Sequence, residues 1–478
     1  MSCNNCTVRS LSSVPQRREP NFFVGDLNEL ARRRFQKDMA YAPPDPLVDP
    51  RATLDRSNDH LSLTGHFGSA ISVRDLLDRD AIVTYFQPIL SARQRTTLGV
   101  EALARAPLAD GHVMGAVELF KRAADEGLSA EVERRCCEKA ITRFANLPHR
   151  RDDQVLFINL GAWVEADDIS VVDELTCHVR GVGLSPRQVA IEVLENRTED
   201  INHLGRLVQR FRDQGFLVVL DDVGAGHSNL DRVPLLKPDI LKIDRSLVAN
   251  IDTDFHKQET IKSLVGLSRR IGALVIAEGM ETEAEAIVAL ELGADLLQGY
   301  LLGEPMPEPT VLLDGAAIAP MGIRTLAEAF KAHMVQKINQ RKFQHRRYNI
   351  LLNEILCHLA YGQVEQFDSL LQEAVGAHPT VECVYVLDGA GIQLTDTIWN
   401  PSTKRREDGA IFKPAPKGTD HSLKEYYYIL LDVELQKYTT EPYVSFASGN
   451  ISRTISTYFR DAANNTLYVL CIDVLVQD

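Results

Sequence analysis

Carboxylates recur in this sequence at or just after short apolar runs, and their types and spacing define the chemistry open to it. Glu101 lies within Thr97–Ala104 and Glu192 within Val189–Leu194, with Glu195 next; Asp221 and Asp222 follow Phe216–Leu220. Asp244 follows Ile240–Ile243, and Glu278 and Glu281 follow Leu274–Ala277. The same set of runs supplies Asn159, Lys242 and Gln298. Two carboxylates about 4 Å apart repel by about 4 kcal/mol at an effective dielectric near 20. Acids gathered in such number stay ionised together only if cations join them. Oxygen donors without His or Cys are hard ligands, suited to Mg²⁺ or Mn²⁺. A mouth this rich in acids has ligands for two ions, the arrangement that cuts phosphodiesters. Taken singly, each Asp also reads as the N-cap of the helix after it. The adjacent pair Asp221–Asp222 fits that reading poorly, because neighbouring acids repel without a cation.

The apolar runs are too short for helices and rich in β-formers, so they read as buried strands. Eight are expected: Val83–Leu90, Thr97–Ala104, Val155–Leu160, Val189–Leu194, Phe216–Leu220, Ile240–Ile243, Leu274–Ala277 and Leu296–Leu302. Helical periodicity separates most of them, as in Ala116–Gly127, Glu131–Leu147 and Thr282–Leu292. Only Ser91–Thr96 joins the first two, which predicts an antiparallel hairpin. The fold class is therefore α/β, a TIM-like (βα)8 barrel with an antiparallel first strand. Such barrels present catalytic groups at the carboxyl ends of their strands. Period-two alternation places Lys242 and Asp244 on one face of their strand.

The rest of the chain sets limits on function. At 478 residues it holds two or three domains. A formal charge of −14 argues against a broad nucleic-acid surface, so no nucleic-acid duplex is expected as a partner. An acidic protein still takes an anionic substrate when bound metals supply positive charge. No apolar run approaches the roughly 18 residues of a membrane span, and the N-terminus lacks a signal-peptide layout. Eight scattered cysteines, several in apolar segments, suit reduced thiols and a cytoplasmic location. Residues 1–75 read as a mostly flexible segment. Within it Leu27–Met39 is compatible with a short helix, Ala42–Pro50 reads as a Pro-rich linker, and Cys3 and Cys6 lack a second pair for zinc. The barrel is expected at 76–310, and a helical connector at 311–361, since no Gly or Pro stands between Gly322 and Gly362. Residues 362–478 form a smaller α/β unit, with a hairpin of Val381–Leu387 and Gln393–Ile398. A helix capped by Asp420 or Ser422 follows, then strands at Tyr443–Ala447, Ser452–Phe459 and Leu467–Val476.

The barrel residues resemble the EAL-domain cyclic-di-GMP phosphodiesterases. Glu101-Ala102-Leu103 gives the naming motif within EALAR. Around it, in order, stand Phe86-Gln87-Pro88-Ile89, Phe157-Ile158-Asn159-Leu160, Ile191-Glu192-Val193-Leu194-Glu195, Asp221-Asp222-Val223-Gly224, Leu241-Lys242-Ile243-Asp244-Arg245, Ala277-Glu278-Gly279-Met280-Glu281-Thr282 and Gln298-Gly299-Tyr300. The resemblance implies metal-dependent hydrolysis of cyclic di-GMP to linear pGpG. It implies Glu101, Asn159, Glu192, Asp221, Asp222 and Glu278 as metal ligands, for two Mg²⁺ or Mn²⁺ ions, with Ca²⁺ inhibitory. Lys242 would position the water and Glu278 act as general base, with Glu101 essential to turnover. Gln87, Leu103, Arg105, Asp244 and Gln298 would meet the substrate, and Glu195 and Glu281 support the loops.

The sequence departs from the family after the fifth strand. The usual Asp-Asp-Phe-Gly-Thr-Gly-Tyr-Ser-Ser is here Asp221-Asp222-Val223-Gly224-Ala225-Gly226-His227-Ser228-Asn229, and Leu194 replaces a usual Thr. Ala225 lacks a hydroxyl with which to fix that loop. The C-terminal order of strands and helix resembles PAS- or Cache-type sensor domains, with Tyr426, Tyr427, Tyr428 and Tyr443 available to line a pocket for an unknown small ligand or to pack the core. Two readings stay open: a phosphodiesterase regulated by its C-terminal domain, and a catalytically silent cyclic-di-GMP receptor that signals through a protein partner. The retained acids favour the enzyme. A homodimer is expected, its connector helices paired in parallel.

Overall fold

The computed structural model describes residues 71–108, 111–161, 170–194, 201–225, 232–307, 322–403 and 414–476. The expected N-terminal tail, with the Leu27–Met39 helix and Cys3 and Cys6, lies outside them. So do Glu195 and the end of the Val223–Asn229 loop.

Eight strands close into a barrel: β1 (Val83–Ser91), β2 (Thr96–Pro107), β4 (Val155–Leu160), β5 (Val189–Leu194), β6 (Leu217–Val223), β7 (Ile240–Ile243), β8 (Leu274–Ala277) and β9 (Leu296–Leu297). A two-residue strand, β3 (Val113–Met114), pairs β2 outside the ring. β1 runs antiparallel to both neighbours, from Val83↔Arg105 to Ser91↔Thr96 on β2 and at Leu90↔Leu297 on β9. The other neighbours are parallel. Side-chain alternation explains why these runs are apolar throughout. Ile89, Val155, Phe157, Ala190, Val219, Ile240, Ile276 and Leu296 fill the barrel interior. Residues between them, such as Leu156, Ile158, Ile191, Val218, Leu220 and Val275, face the surrounding helices. Those helices are α1 (Val73–Asp78), α2 (Ala116–Asp125), α3 (Ser129–Ala145), α4 (Ser170–Gly181), α5 (Ile201–Gln214), α6 (Arg232–Leu236), α7 (Arg245–Val248), α8 (Phe255–Ile271) and α9 (Glu283–Leu292).

Two strands differ from expectation near the mouth. β6 continues through both acids to Val223, with an irregular register between Leu220 and Val223 against β7. Asp222 takes a φ of 56°, a left-handed conformation costly for a residue with a Cβ. The last strand, expected to reach Leu302, pairs only at Leu296–Leu297. Beyond it the chain turns onto the β8 loop, where Met280 N donates to Gln298 O and Leu301 N to Met280 O. A Cβ on Gly299 would stand 2.2 Å from Met280 N, so only glycine permits that approach.

After the barrel, α10 (Ile323–Tyr361) runs unbroken for 39 residues, about 58 Å at 1.5 Å per residue. Its first turns join the barrel core through Ile323 and Leu326. Its last turns, with Leu351, Leu352, Ile355 and Leu359, join a second core. That core also holds α11 (Phe367–Gly376) and a six-stranded sheet in the order β11-β10-β15-β14-β12, with β13 paired to β14. The strands are β10 (Val381–Asp388), β11 (Ile398–Trp399), β12 (Lys437–Thr439), β13 (Tyr443–Val444), β14 (Ile451–Arg460) and β15 (Leu467–Leu475), and α12 (Glu425–Asp432) covers the other face. The expected hairpin is reduced. Gln393 meets β10 only in an isolated bridge at Leu387, while its buried side chain donates to Thr395 O, Thr397 Oγ1 and Ala415 O. Nor do Asp420 and Ser422 cap α12. Its N-cap is Lys424, without a side-chain bond, and Asp420 instead accepts from Ser422 N.

Candidate active site

The acids converge on one ammonium. Lys242 Nζ lies 2.6 Å from Glu278 Oε1, 2.7 Å from Glu192 Oε1, and 3.3 Å from both Glu101 Oε2 and Asp221 Oδ1. Each residue arrives from the carboxyl end of a different strand, because parallel strands deliver the same register to the same rim. Asp222 stands half-buried beside them. It shares the mouth with Asp221 because the irregular backbone at this point interrupts normal alternation, and its N–H donates to Asp221 Oδ1 at 2.9 Å.

Charge and hydrogen bonding are both out of balance here. One ammonium faces four carboxylates, and its three protons cannot align with all of them. Glu192 Oε1 and Glu278 Oε1 lie within ion-pair distance of Nζ yet lack an aligned hydrogen bond, and Glu192 Oε2, fully buried, has no hydrogen-bond partner among the described residues. Burial drives Glu192 and Glu278 well above the ordinary carboxylate range, and neighbouring acids add to it against the pull of Lys242. Burial acts in the same sense on Glu101. There Lys242 and hydrogen bonds from Gln298 (2.7 Å) and Asn159 (3.1 Å) prevail and hold it low. Asp222 is pushed up to about 6 by burial, then by Asp221 and Asp244. Burial opposes the charge on Lys242, but Asp221, Glu101, Glu192 and Glu278 together raise it well above the usual lysine range.

Among the described residues, no three acid, imidazole or thiol side chains surround a ready-made cation cage. The ammonium stands at the point towards which the acids turn. The donor set nonetheless fits hard divalent cations: oxygen ligands only, net negative charge, and a buried carboxylate oxygen with no partner.

A second layer steadies the first. Gln298 Nε2 bridges Glu101 and Gln87 Oε1, and Gln87 donates to Gly303 O. Arg105 extends its guanidinium over the Tyr85 ring, 5.8 Å from the centroid, and gives one N–H to Ala104 O. Leu103, partly exposed, stands between Glu101 and Arg105 in sequence. Asp244 caps α7 through Ser246 N at 2.9 Å, the ordinary structural job for such a residue. Glu281 pairs with Arg245, which also donates to Gly279 O. The sequence reading gave no role to Arg245, Tyr85 or Glu285. Glu285 accepts from Asn250 N, Glu281 N and Thr282 N, tying the β7 and β8 loops together. The Thr282-x-x-Glu285 spacing of a capping box was its legible signal.

Residues 71–305 match the EAL domain family. The chain is similar to the probable cyclic di-GMP phosphodiesterase PdeI of Escherichia coli (strain K12), 29% identical over 242 residues, or 50% of this chain and 31% of that protein. It is 25% identical over 391 residues, 80% of this chain and 92% of the relative, to the EAL-domain containing protein YkuI of Bacillus subtilis (strain 168). The chain thus spans about a third of PdeI's length but most of YkuI's. The crystal structure of YkuI, solved with c-di-GMP and calcium, superposes with a TM-score of 0.69 at 23% identity. It covers 86% of this chain and 100% of that one, a likeness of fold.

Proposed function

We propose that this barrel, where residues 71–305 match the EAL domain family, hydrolyses cyclic di-GMP to linear pGpG with two Mg²⁺ or Mn²⁺ ions. The observation that carries this reading is the imbalance at Lys242: four carboxylates, one ammonium and a buried carboxylate oxygen without a partner. Glu101, Asn159, Glu192, Asp221, Asp222 and Glu278 are the residues that would hold the ions. When bound, such ions polarise a phosphoryl oxygen and lower the pKa of an attacking water. Glu278, raised by burial, is the acceptor for the water's proton at Oε1. Lys242 orients that carboxylate through its 2.6 Å contact and offsets negative charge as it develops on the phosphate. Among the described residues Arg105 gives one hydrogen bond, to Ala104 O, and its planar fork suits a phosphate. Gln87, Leu103, Asp244 and Gln298 line the substrate side. Glu281, held by Arg245, supports the Glu278 loop.

The C-terminal domain is read as a sensory unit of PAS or Cache type that takes a small ligand and acts through α10. Glu291 near the end of α9 grips α10 through His333 at 2.7 Å and through Lys337. The first turn of α9 holds the Glu278 loop through Thr282 and Glu285. One helix therefore touches both the connector and the site. A silent receptor is the second reading, favoured only by the loop after Asp222, where Ala225 offers no hydroxyl. Pure protein incubated with cyclic di-GMP and either Mg²⁺ or Mn²⁺, its products separated chromatographically, distinguishes the two. Appearance of pGpG is expected, with Ca²⁺ suppressing it. Binding without product at substantial enzyme concentration would establish the receptor.

A further inference from the structure

Away from the barrel, a cavity of about 180 Å³ opens where α10 meets the C-terminal sheet. Pockets for drug-sized molecules run to roughly 300–1,000 Å³, so this one has room only for a small ion or metabolite. Gln344, Arg347, Tyr348 and Leu351 line it from one face of α10, at spacings of three and four residues. His378 and Thr380, on the connection between α11 and β10, line the opposite side. Leu475 N, at the end of β15, fixes that connection by donating to Thr380 O at 2.8 Å.

The charge around this hollow is positive and unanswered. Arg453 on β14 pairs in register with Val474, and by alternation it shares the α10 side of the sheet with Ile455. Thr454 and Ser456 bond on the α12 side instead. Burial raises the pKa of Tyr348, and Arg453 and Arg347 both oppose that rise, so both guanidiniums stand near its hydroxyl. Among the described residues, neither guanidinium has an acid or a hydrogen-bond acceptor, and the Gln344 amide and the Tyr348 and Thr380 hydroxyls make no hydrogen bond. Arg453, Tyr348, Gln344 and Thr380 are all partly buried, which limits the water that reaches them. The one acid on the cavity wall, Glu354, is engaged by His378 at 3.0 Å. Two like charges and three idle polar groups around a hollow leave a demand for acceptors that the protein does not meet.

We infer that this cavity binds a phosphate group, free or at the end of a small metabolite. The two guanidinium forks supply the charge for a dianion and fit its oxygens in pairs. The amide and the two hydroxyls add neutral donors from α10 and from the connection opposite it. Donors arriving from several sides suit a tetrahedral anion, whereas a planar carboxylate is satisfied by one fork. Leu351 and Leu475 form an apolar wall against which a short carbon chain on the phosphate packs. An anion seated here removes the repulsion between the guanidiniums and ties α10 to the sheet. The inference does not rest on the barrel's chemistry. It gives a ligand class to the sensory reading of the C-terminal domain, and binding is measured apart from any effect on turnover.

Isothermal titration calorimetry on the full chain, in HEPES with EDTA to keep metal from the barrel, tests it with inorganic phosphate and with glycerol 3-phosphate. One of the two should bind once per chain with a dissociation constant of about 1 mM or tighter. Tighter phosphate identifies the free ion as the ligand, and tighter glycerol 3-phosphate a phosphorylated metabolite. Arg347→Gln with Arg453→Gln should weaken binding by at least about tenfold, because each fork gives charge-assisted hydrogen bonds. The melting temperature without ligand should hold, since neither guanidinium has a protein partner to lose. Arg347→Gln alone, at an exposed side chain, should weaken binding severalfold and carries the test if the double variant melts early. Arg105→Gln, which removes the barrel's own candidate phosphate contact, should bind like the parent. No saturable heat with either probe, parental affinity in the double variant, loss of binding in Arg105→Gln, or equal affinity for acetate would overturn the proposal.

Discussion

Buried acids occur in both halves of this molecule, and they are treated in opposite ways. At the barrel mouth Glu101, Glu192, Asp221 and Glu278 crowd one lysine, and a carboxylate oxygen of Glu192 is left without a hydrogen bond. In the C-terminal sheet Glu382 is as deeply buried as Glu192, yet each of its oxygens accepts a serine hydroxyl: Ser445 at 2.7 Å, and Ser452. Asp473 likewise accepts from Thr454 at 2.7 Å and from the Cys383 thiol at 3.3 Å, and Tyr443 bonds Thr454 behind it. Neutral donors complete the second cluster, so it needs nothing more. The first is incomplete by itself, as a site built around an added cation must be. Burial alone therefore does not mark function; the unmet demand for charge does.

The sharpest way to break this contrast is to remove one barrel acid. Glu101→Ala deletes an oxygen ligand together with the hydrogen bonds from Gln298 and Asn159. Changes in the outer shell of a metal site already cost 10- to 100-fold, so turnover of cyclic di-GMP should fall by at least about a hundredfold. The melting temperature should hold or rise, since one like charge has left the cluster. Unchanged turnover would remove Glu101 from the site.

The next prediction concerns the lysine. Stripping one partner from a buried ion cluster costs about 3–5 kcal/mol. Lys242→Met should therefore lower the melting temperature by roughly 10 °C, at about 2–4 °C per kcal/mol for a domain of this size. Added Mn²⁺ should recover more of that loss in the variant than it adds to the parent, by binding the folded state alone. A variant that melts like the parent, with or without metal, would mean that the acids do not need the ammonium's charge.

Much of this site was legible because strand ends announce themselves. β4, β5, β7 and β8 lie where short apolar runs placed them, and their acids, amide and lysine reach one mouth. The misses have local causes. β6 passes its expected end at Leu220 because a positive φ at Asp222 and a register shift carry it to Val223, which residue types do not encode. The last strand stops early because Gly299 lets the chain bond Met280 rather than extend the ladder. Asp244, an expected substrate contact, also bonds its own helix's first turn, a second job open to every Asp after a strand. Arg245 and Glu285 act through loops adjacent only in space, so their partners could not be read along the chain.

The smallest expected effect belongs to the satisfied cluster, and pH is the way to see it. Asp473 is partly buried in the sheet, and burial pushes its pKa up to about 6. Hydrogen bonds from Thr454 and Cys383 work against that rise, and nearby Glu382 reinforces it. An unfolded Asp titrates near 3.9, so between about pH 4 and 6 the folded state binds more protons than the unfolded one. Stability from this group is then full below about pH 4 and is lost as pH rises through about 6, by up to about 3 kcal/mol. Asp473→Asn keeps an acceptor for Thr454 and removes the charge. The parent's second core should thus melt lower at pH 7.5 than at pH 5 by several degrees, while the variant melts alike at both. If parent and variant share the same pH slope, Asp473 is ionised without penalty, its neutral donors offset burial completely, and the raised pKa is wrong.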